Sequence, residues 1–156
     1  MNTNKKIFSM QWHLTDNCDQ ACKHCYIYQN TNYLKESKRE LSFEEARFAV
    51  DNFVSFCIKM NCAPRISITG GDPILYKNFW EIISYIYSKG IIFSILGNPF
   101  HLNKEVCDKL RELGCVSYQM SLDGLKKTHD EIRKSGSFDA TLEKIPILKE
   151  SGIRAN

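Results

Sequence analysis

The sequence has no long apolar run, no block of like charge and very little linker chemistry. Its longest hydrophobic stretch, around Ile91 to Leu96, falls far below the 18 or more residues that a membrane span needs, so no membrane association is expected. The opening residues MNTNKKIFSMQWH show neither the apolar region nor the cleavage site of a secretion signal, which makes a cytoplasmic location the expectation. Only 4 prolines and 8 glycines are spread over 156 residues, and no low-complexity or Pro/Gly/Ser-rich segment divides them. That leaves one domain, residues 1–156, of ordinary size. The 21 Lys and Arg stand against 18 Asp and Glu, a net charge of +3 with the basic residues scattered, so nucleic acid is not an expected partner. A composition that is 43% apolar and 12% aromatic is too hydrophobic for disorder and suits a packed core.

Seven cysteines without a secretion signal do not read as a disulfide framework. Cys57, Cys62, Cys107 and Cys115 lie singly in helix-like or strand-like surroundings and read as small buried hydrophobes. Cys18, Cys22 and Cys25 instead form a C-x3-C-x2-C group. Soft thiolates so close together bind iron-sulfur clusters or zinc, and both usually take four protein ligands. Three thiolates on a cubane cluster leave one iron open to a substrate or cofactor. Alternatively His13 or His24 completes a zinc site, or Cys57 or Cys62 is a distant fourth ligand.

Short β-branched runs alternate with amphipathic stretches along the chain. Ile7 to Thr15 reads as a first strand, followed by the cysteines and a polar stretch near Thr31 to Glu40. Ser42-Phe43-Glu44-Glu45 is a capping box, opening a helix with Ala46, Ala49, Val50, Phe53, Cys57 and Met60 on one face. Further strands are expected at Arg65 to Thr69, Ile91 to Leu96 and Val116 to Leu122. Helices are expected from an Asn78 cap to Gly90, from Asn103 to Gly114, and from Phe138 to Glu150 with a kink near Pro146. Ile153 begins what looks like another strand.

This strand-plus-helix repeat predicts an α/β fold with a parallel sheet and right-handed crossovers. Ligands of such sheets bind beyond the carboxyl ends of the strands. There lie the cysteines, Gly70-Gly71-Asp72-Pro73, Asn98 and Asp123. Polar residues also recur at alternate positions, including Gln11, His13, Ser67, Thr69, Ser117 and Gln119. Parallel strands buried on both faces would be apolar throughout, so one face is expected to be concave and to line a cavity.

The ordered set Trp12-x-Leu14-Thr15-x-x-Cys18-x3-Cys22-x-His24-Cys25-Tyr26, Gly70-Gly71-Asp72-Pro73, Ser121-Leu122-Asp123-Gly124, His129-Asp130 and Arg133 resembles the radical S-adenosylmethionine (SAM) superfamily. It is most similar to the SPASM-type peptide and protein maturases, among them the anaerobic sulfatase-maturating enzymes. The resemblance implies a partial (β/α) barrel with about four of six strand-helix units. It implies a 4Fe-4S cluster on Cys18, Cys22 and Cys25, and SAM as second cofactor. Gly70, Gly71 and Asp72 then match the motif that receives the methionine amino group, Ser121 and Arg133 match positions that contact SAM, and Tyr26 and His24 lie near the adenine. Asp72 replaces the more usual glutamate, and His24 stands where an aromatic is common.

By the same resemblance the activity is reductive cleavage of SAM to a 5'-deoxyadenosyl radical for modifying a peptide or protein, such as a precursor peptide. The expected electron donor is a low-potential flavodoxin or ferredoxin. The sequence reads as the N-terminal part of such a core domain, without the cysteine-rich SPASM-like region. Its fourth strand is expected to present an open edge that favours association. The competing readings are a non-catalytic iron-sulfur electron carrier or sensor, and a zinc-binding module.

Overall fold

A computed structural model describes residues 5–29 and 40–156 of the chain. The polar stretch expected near Thr31 to Glu40 lies, apart from Glu40, outside the described residues. In chain order the elements are β1 (Ile7–Thr15), α1 (Tyr26–Gln29), α2 (Phe43–Lys59), β2 (Ala63–Gly70), a 3-10 turn (Pro73–Leu75), α3 (Phe79–Ser88), β3 (Ile92–Leu96), α4 (Lys104–Glu112), β4 (Cys115–Gln119), α5 (Lys126–Ile132), α6 (Ser137–Glu150) and β5 (Arg154–Ala155). All five strands are parallel and lie in the order β1-β2-β3-β4-β5, so each crossover returns to the adjacent position. The edge expected to be open on β4 is covered by β5, which pairs Ser117 with Arg154 and Tyr118 with Ala155.

Local chemistry sets the helix limits. Ser42 accepts from the Glu45 amide while the Glu45 carboxylate accepts from the Ser42 amide, closing the capping box that starts α2. The Asn103 side chain accepts from the Val106 amide at the start of α4. Asn78 does occupy the cap position of α3, but its side chain makes no capping bond. Gly90, Gly114 and Gly152 end their helices with positive φ. Helix α6 continues through Pro146 to Glu150 as one element.

The outer face of the sheet packs against the helices. Ile66, Ile68, Phe93, Ile95, Cys115 and Tyr118 meet Val50, Ile82, Ile83, Ile86, Cys107, Leu110 and Leu148, all fully buried. The opposite face is polar, as expected. Gln11 pairs with Ser67, Ser67 with Ser94, Ser94 with Ser117 and Ser117 with Arg154, forming one layer across five strands. The Ser67 and Ser94 hydroxyls lie 2.9 Å apart.

One detail departs from simple alternation. Phe93 pairs with Cys115 but Ser94 with Ser117, which leaves Val116 as an extra, unpaired residue of β4. The buried apolar side of this strand is therefore carried by Cys115 and Tyr118, not by Val116 and Tyr118.

Candidate functional site

Beyond the carboxyl ends of the strands lies a cavity of about 280 Å³. Cys18, Cys22, Cys25, His24 and Tyr26 approach it from the segment after β1, Gly70 and Gly71 from the end of β2, and Ser121 and Arg133 from beyond β4. Nine of the ten site residues expected from the sequence thus meet in one place. Leu96, Gly97, Asn98 and Gln119 complete much of its wall.

The glycine pair is there for a steric reason that can be measured. A Cβ on Gly70 would stand 2.3 Å from the Thr15 carbonyl oxygen, and one on Gly71 would stand 2.2 Å from that of Asn17. Real atoms never approach so closely. The absent side chains let this loop lie directly on the end of β1, where the Gly71 amide donates to Thr15 O and the Asp72 amide to Asn17 O, both at 2.7 Å. Glu40 fastens the same segment, accepting from the Thr15 hydroxyl at 2.5 Å and the Asn17 amide at 2.8 Å. The start of the cysteine segment is therefore fixed by hydrogen bonds from two distant parts of the chain.

Asp72 corrects an expectation. Its carboxylate does not line the cavity and is not presented to an ammonium group there. The side chain is fully buried, 4.0 Å from His101 Nε2, and His101 in turn lies 3.2 Å from Asp19. Burial pushes the Asp72 carboxyl up to about 6, with His101 pulling it partly back. An unfolded aspartate ionises near pH 4, so between about pH 4 and 6 the folded chain holds a proton that the unfolded chain has lost. Asp72's contribution to stability accordingly falls as pH rises through that window and is level above it. We expect Asp72→Asn to remove this decline, a gain over wild type on the order of 3 kcal/mol between pH 4 and 7 in urea unfolding. Parallel pH profiles for the two proteins would contradict it.

Arg133 is held by Asp123. Its Nε and Nη2 donate to the two carboxylate oxygens, the latter at 3.2 Å, and Nη1 reaches 3.7 Å from Cys22 Sγ. The guanidinium holds the Asp123 carboxyl below the usual range. His129 and Asp130, quoted above within the motif, are structural. Buried His129 accepts from the Asp123 amide, and the Asp130 carboxylate accepts from the Gly136 and Phe138 amides at the start of α6. His13 sits beside the site, with Nδ1 3.0 Å from the Tyr26 hydroxyl and Nε2 2.6 Å from Asp16.

All seven cysteines carry thiols, not disulfides. Burial pushes the Cys18 and Cys22 thiols up, opposed at Cys22 by Arg133 and at Cys18 by backbone amides and the Asn98 amide 3.8 Å away. A metal would displace those protons. The donor set fits a cluster better than a single ion. One zinc with Zn–S bonds of about 2.3 Å needs its sulfurs about 3.8 Å apart. Among the described residues, the His, Cys, Asp or Glu donors that gather within 4.8 Å of one another are those of Asp19, Asp72 and His101, not the three thiols. Cys57 and Cys62 are excluded as fourth ligands by topology. Cys62 immediately precedes β2, whose eight residues put it roughly 25 Å from the rim, and Cys57 bonds to it through its carbonyl.

Comparison with known proteins follows this geometry. Residues 12–156 match the family model described as the radical SAM superfamily. Fe-coproporphyrin III synthase of Methanosarcina barkeri is 33% identical over 144 residues, 92% of this chain and 34% of that protein. Mycofactocin maturase MftC of Mycolicibacterium smegmatis is 28% identical over 145 residues, covering 92% of this chain and 35% of the maturase. Among solved structures, native anSMEcpe with bound AdoMet superposes with a TM-score of 0.77 at 18% identity, over 96% of this chain and 43% of that one. The chain spans about a third of the length of these curated relatives. No helix among the described residues is long and apolar enough to cross a membrane. Matched by that family's model over residues 12–156, the chain belongs to the radical SAM superfamily.

Proposed function

We propose that residues 1–156 form the cluster- and SAM-binding part of a radical SAM enzyme that modifies a peptide or protein substrate. The observation that carries this reading is the convergence of three thiols, the Gly70-Gly71 backbone, Ser121 and Arg133 on one cavity from three separate strand ends. A 4Fe-4S cluster with SAM supplies one-electron cleavage of the sulfonium, yielding methionine and a 5'-deoxyadenosyl radical that abstracts substrate hydrogen.

The chain's own residues bind and orient. Cys18, Cys22 and Cys25 are three thiolates where a closed site takes four, which leaves one coordination position for a cofactor. Backbone groups of Gly70 and Gly71 receive the amino group of SAM. Asp72 contributes through the backbone, since its carboxylate is sealed beneath the loop. Arg133 offers the edge that Asp123 leaves uncovered to a carboxylate, with Ser121 beside it. Tyr26 and His24, both exposed at the mouth, border the adenine. A low-potential flavodoxin or ferredoxin supplies the electron.

The peptide assignment rests on the maturase relatives, which include the sporulation killing factor maturation protein SkfB of Bacillus subtilis at 29% identity over 141 residues. A porphyrin substrate is the second reading, favoured by the 33% identity to Fe-coproporphyrin III synthase. Anaerobic reconstitution tests the common part. The expected result is a brown protein whose reduced-cluster electron paramagnetic resonance (EPR) signal changes on adding SAM. Iron without a SAM response would replace this reading with an electron carrier, and a colourless zinc protein would replace it with a binding module.

A further inference from the structure

The polar face of the sheet lines a second cavity, of about 440 Å³ and partly open to solvent, which the cofactor reading leaves unassigned. Its walls carry Ser9, Ser67, Ser94 and Ser117 together with Arg65 and Arg154, and no acidic side chain among the described residues. Register places these groups in layers. Ser67, Ser94, Ser117 and Arg154 share one, and Arg65 lies in the layer beneath, beside Ser9. Leu96 and Gln119 line this cavity and the cysteine cavity alike, so the two adjoin.

Two guanidiniums facing one space are chemically demanding. Each presents a planar fork of N–H donors. Neither forms an ion pair among the described residues, and Arg65 Nε is buried with no hydrogen-bond partner. The orphaned Arg65 donor costs stability unless an acceptor oxygen reaches it, and Arg154, exposed on the edge strand, faces the same space. Serine hydroxyls rotate to donate as well, and a volume of about 440 Å³ is within the range of small-ligand sites.

We propose that this inner face binds an oxyanion of the substrate, a carboxylate or a phosphate, through Arg65 and Arg154 with the serine layer as supporting donors. The proposal deepens the function given above and rests on it in one respect, that the occupant is the substrate. Leu96 stands two residues beyond Ser94, so the anionic group is anchored about 7 Å below the layer where the cavities meet. An acidic residue or a terminal carboxylate of a peptide would be held with its reacting carbon toward the cofactor cavity.

Calorimetric titration of the reconstituted chain at fixed ionic strength tests this, with glutarate, its uncharged diamide and inorganic phosphate as probes. Glutarate should bind where the diamide does not, and Arg65→Gln or Arg154→Gln should each weaken it about tenfold or more, since each removes a charge-assisted fork. Arg65→Lys keeps the charge and should lie between. If Arg65→Gln fails to fold, as circular dichroism would reveal, Arg154→Gln on the two-residue edge strand carries the test. Arginine-dependent binding of phosphate alone would support the oxyanion site and assign it to a phosphorylated group. Absence of binding by both anions, or binding unchanged in the double variant, would overturn the proposal. A chain that takes up glutarate in the arginine-dependent manner but shows no SAM response would instead retain the oxyanion site and remove the enzymatic reading.

Discussion

Replacing Cys22 with alanine should reduce iron from about four atoms per reconstituted chain to a small residue, and abolish the brown absorbance. Of the three thiols Cys22 is the buried one, and it sits between Cys18 and Cys25 with the Arg133 guanidinium 3.7 Å away. With only three protein ligands available, losing one leaves two, while the guanidinium repels any cation entering the gap. The fold should survive, because Cys22 lies outside the main hydrophobic core that the sheet shares with its helices. Far-ultraviolet circular dichroism should accordingly stay unchanged. Cys57→Ala provides the converse control. Cys57 is part of that core, so its truncation should lower thermal stability by roughly 1 to 2 kcal/mol while leaving iron content intact. Full iron loading of Cys22→Ala would remove the cluster assignment.

Why these cysteines could be singled out by spacing, while much of their setting could not, follows from what a sequence pattern encodes. Strong signals lay in periodicities and caps. The Ser42–Glu45 box, the Asn103 cap and the stops at Gly90, Gly114 and Gly152 all stand where their chemistry puts them. The alternation of polar residues on the strands foretold the cavity on the inner face. Helix α5 carried no such signal, since Leu125 at its start makes no side-chain cap and the helix is only seven residues long. The bulge at Val116 was equally silent, because a single inserted residue changes register without changing composition.

At the site, residue types announced which segments converge but not which way a side chain turns. Asp72 is the case in point. Sequence places it beside two glycines at a strand end, a position suited to meeting a ligand. Packing decides otherwise, since Gly97 leaves space for the Asp72 carboxylate and the Tyr118 hydroxyl, and a Cβ there would stand 3.0 Å from one and 2.3 Å from the other. Likewise nothing in the sequence announced that Asp123 braces Arg133. Leu96 and Gln119, which join the two cavities, carry no motif at all.

The sharpest consequence of this packing falls on Gly71. Adding one methyl group, Gly71→Ala, should destabilise the chain by about 3 kcal/mol or more and abolish SAM-responsive cluster assembly together. No left-handed backbone is involved, so the effect is steric. The new Cβ would lie 2.2 Å from Asn17 O, 2.7 Å from Asn17 C and 2.8 Å from Asp16 O, all backbone atoms that cannot rotate away. Relief requires the β2 loop to lift from the segment after β1. That breaks the bonds from the Gly71 and Asp72 amides to Thr15 and Asn17, and it shifts Cys18, the residue after Asn17, relative to Cys22 and Cys25. Gly90→Ala separates this from glycine's general conformational cost. Gly90 has a φ of +69° with no atom within 4 Å of its would-be Cβ, so only the backbone penalty applies, about 1 kcal/mol, and cluster assembly should be normal. Urea unfolding and iron analysis of the two variants read both effects. Equal destabilisation, or a Gly71→Ala protein with a full SAM-responsive cluster, would show that the loop contact does not position the cysteines.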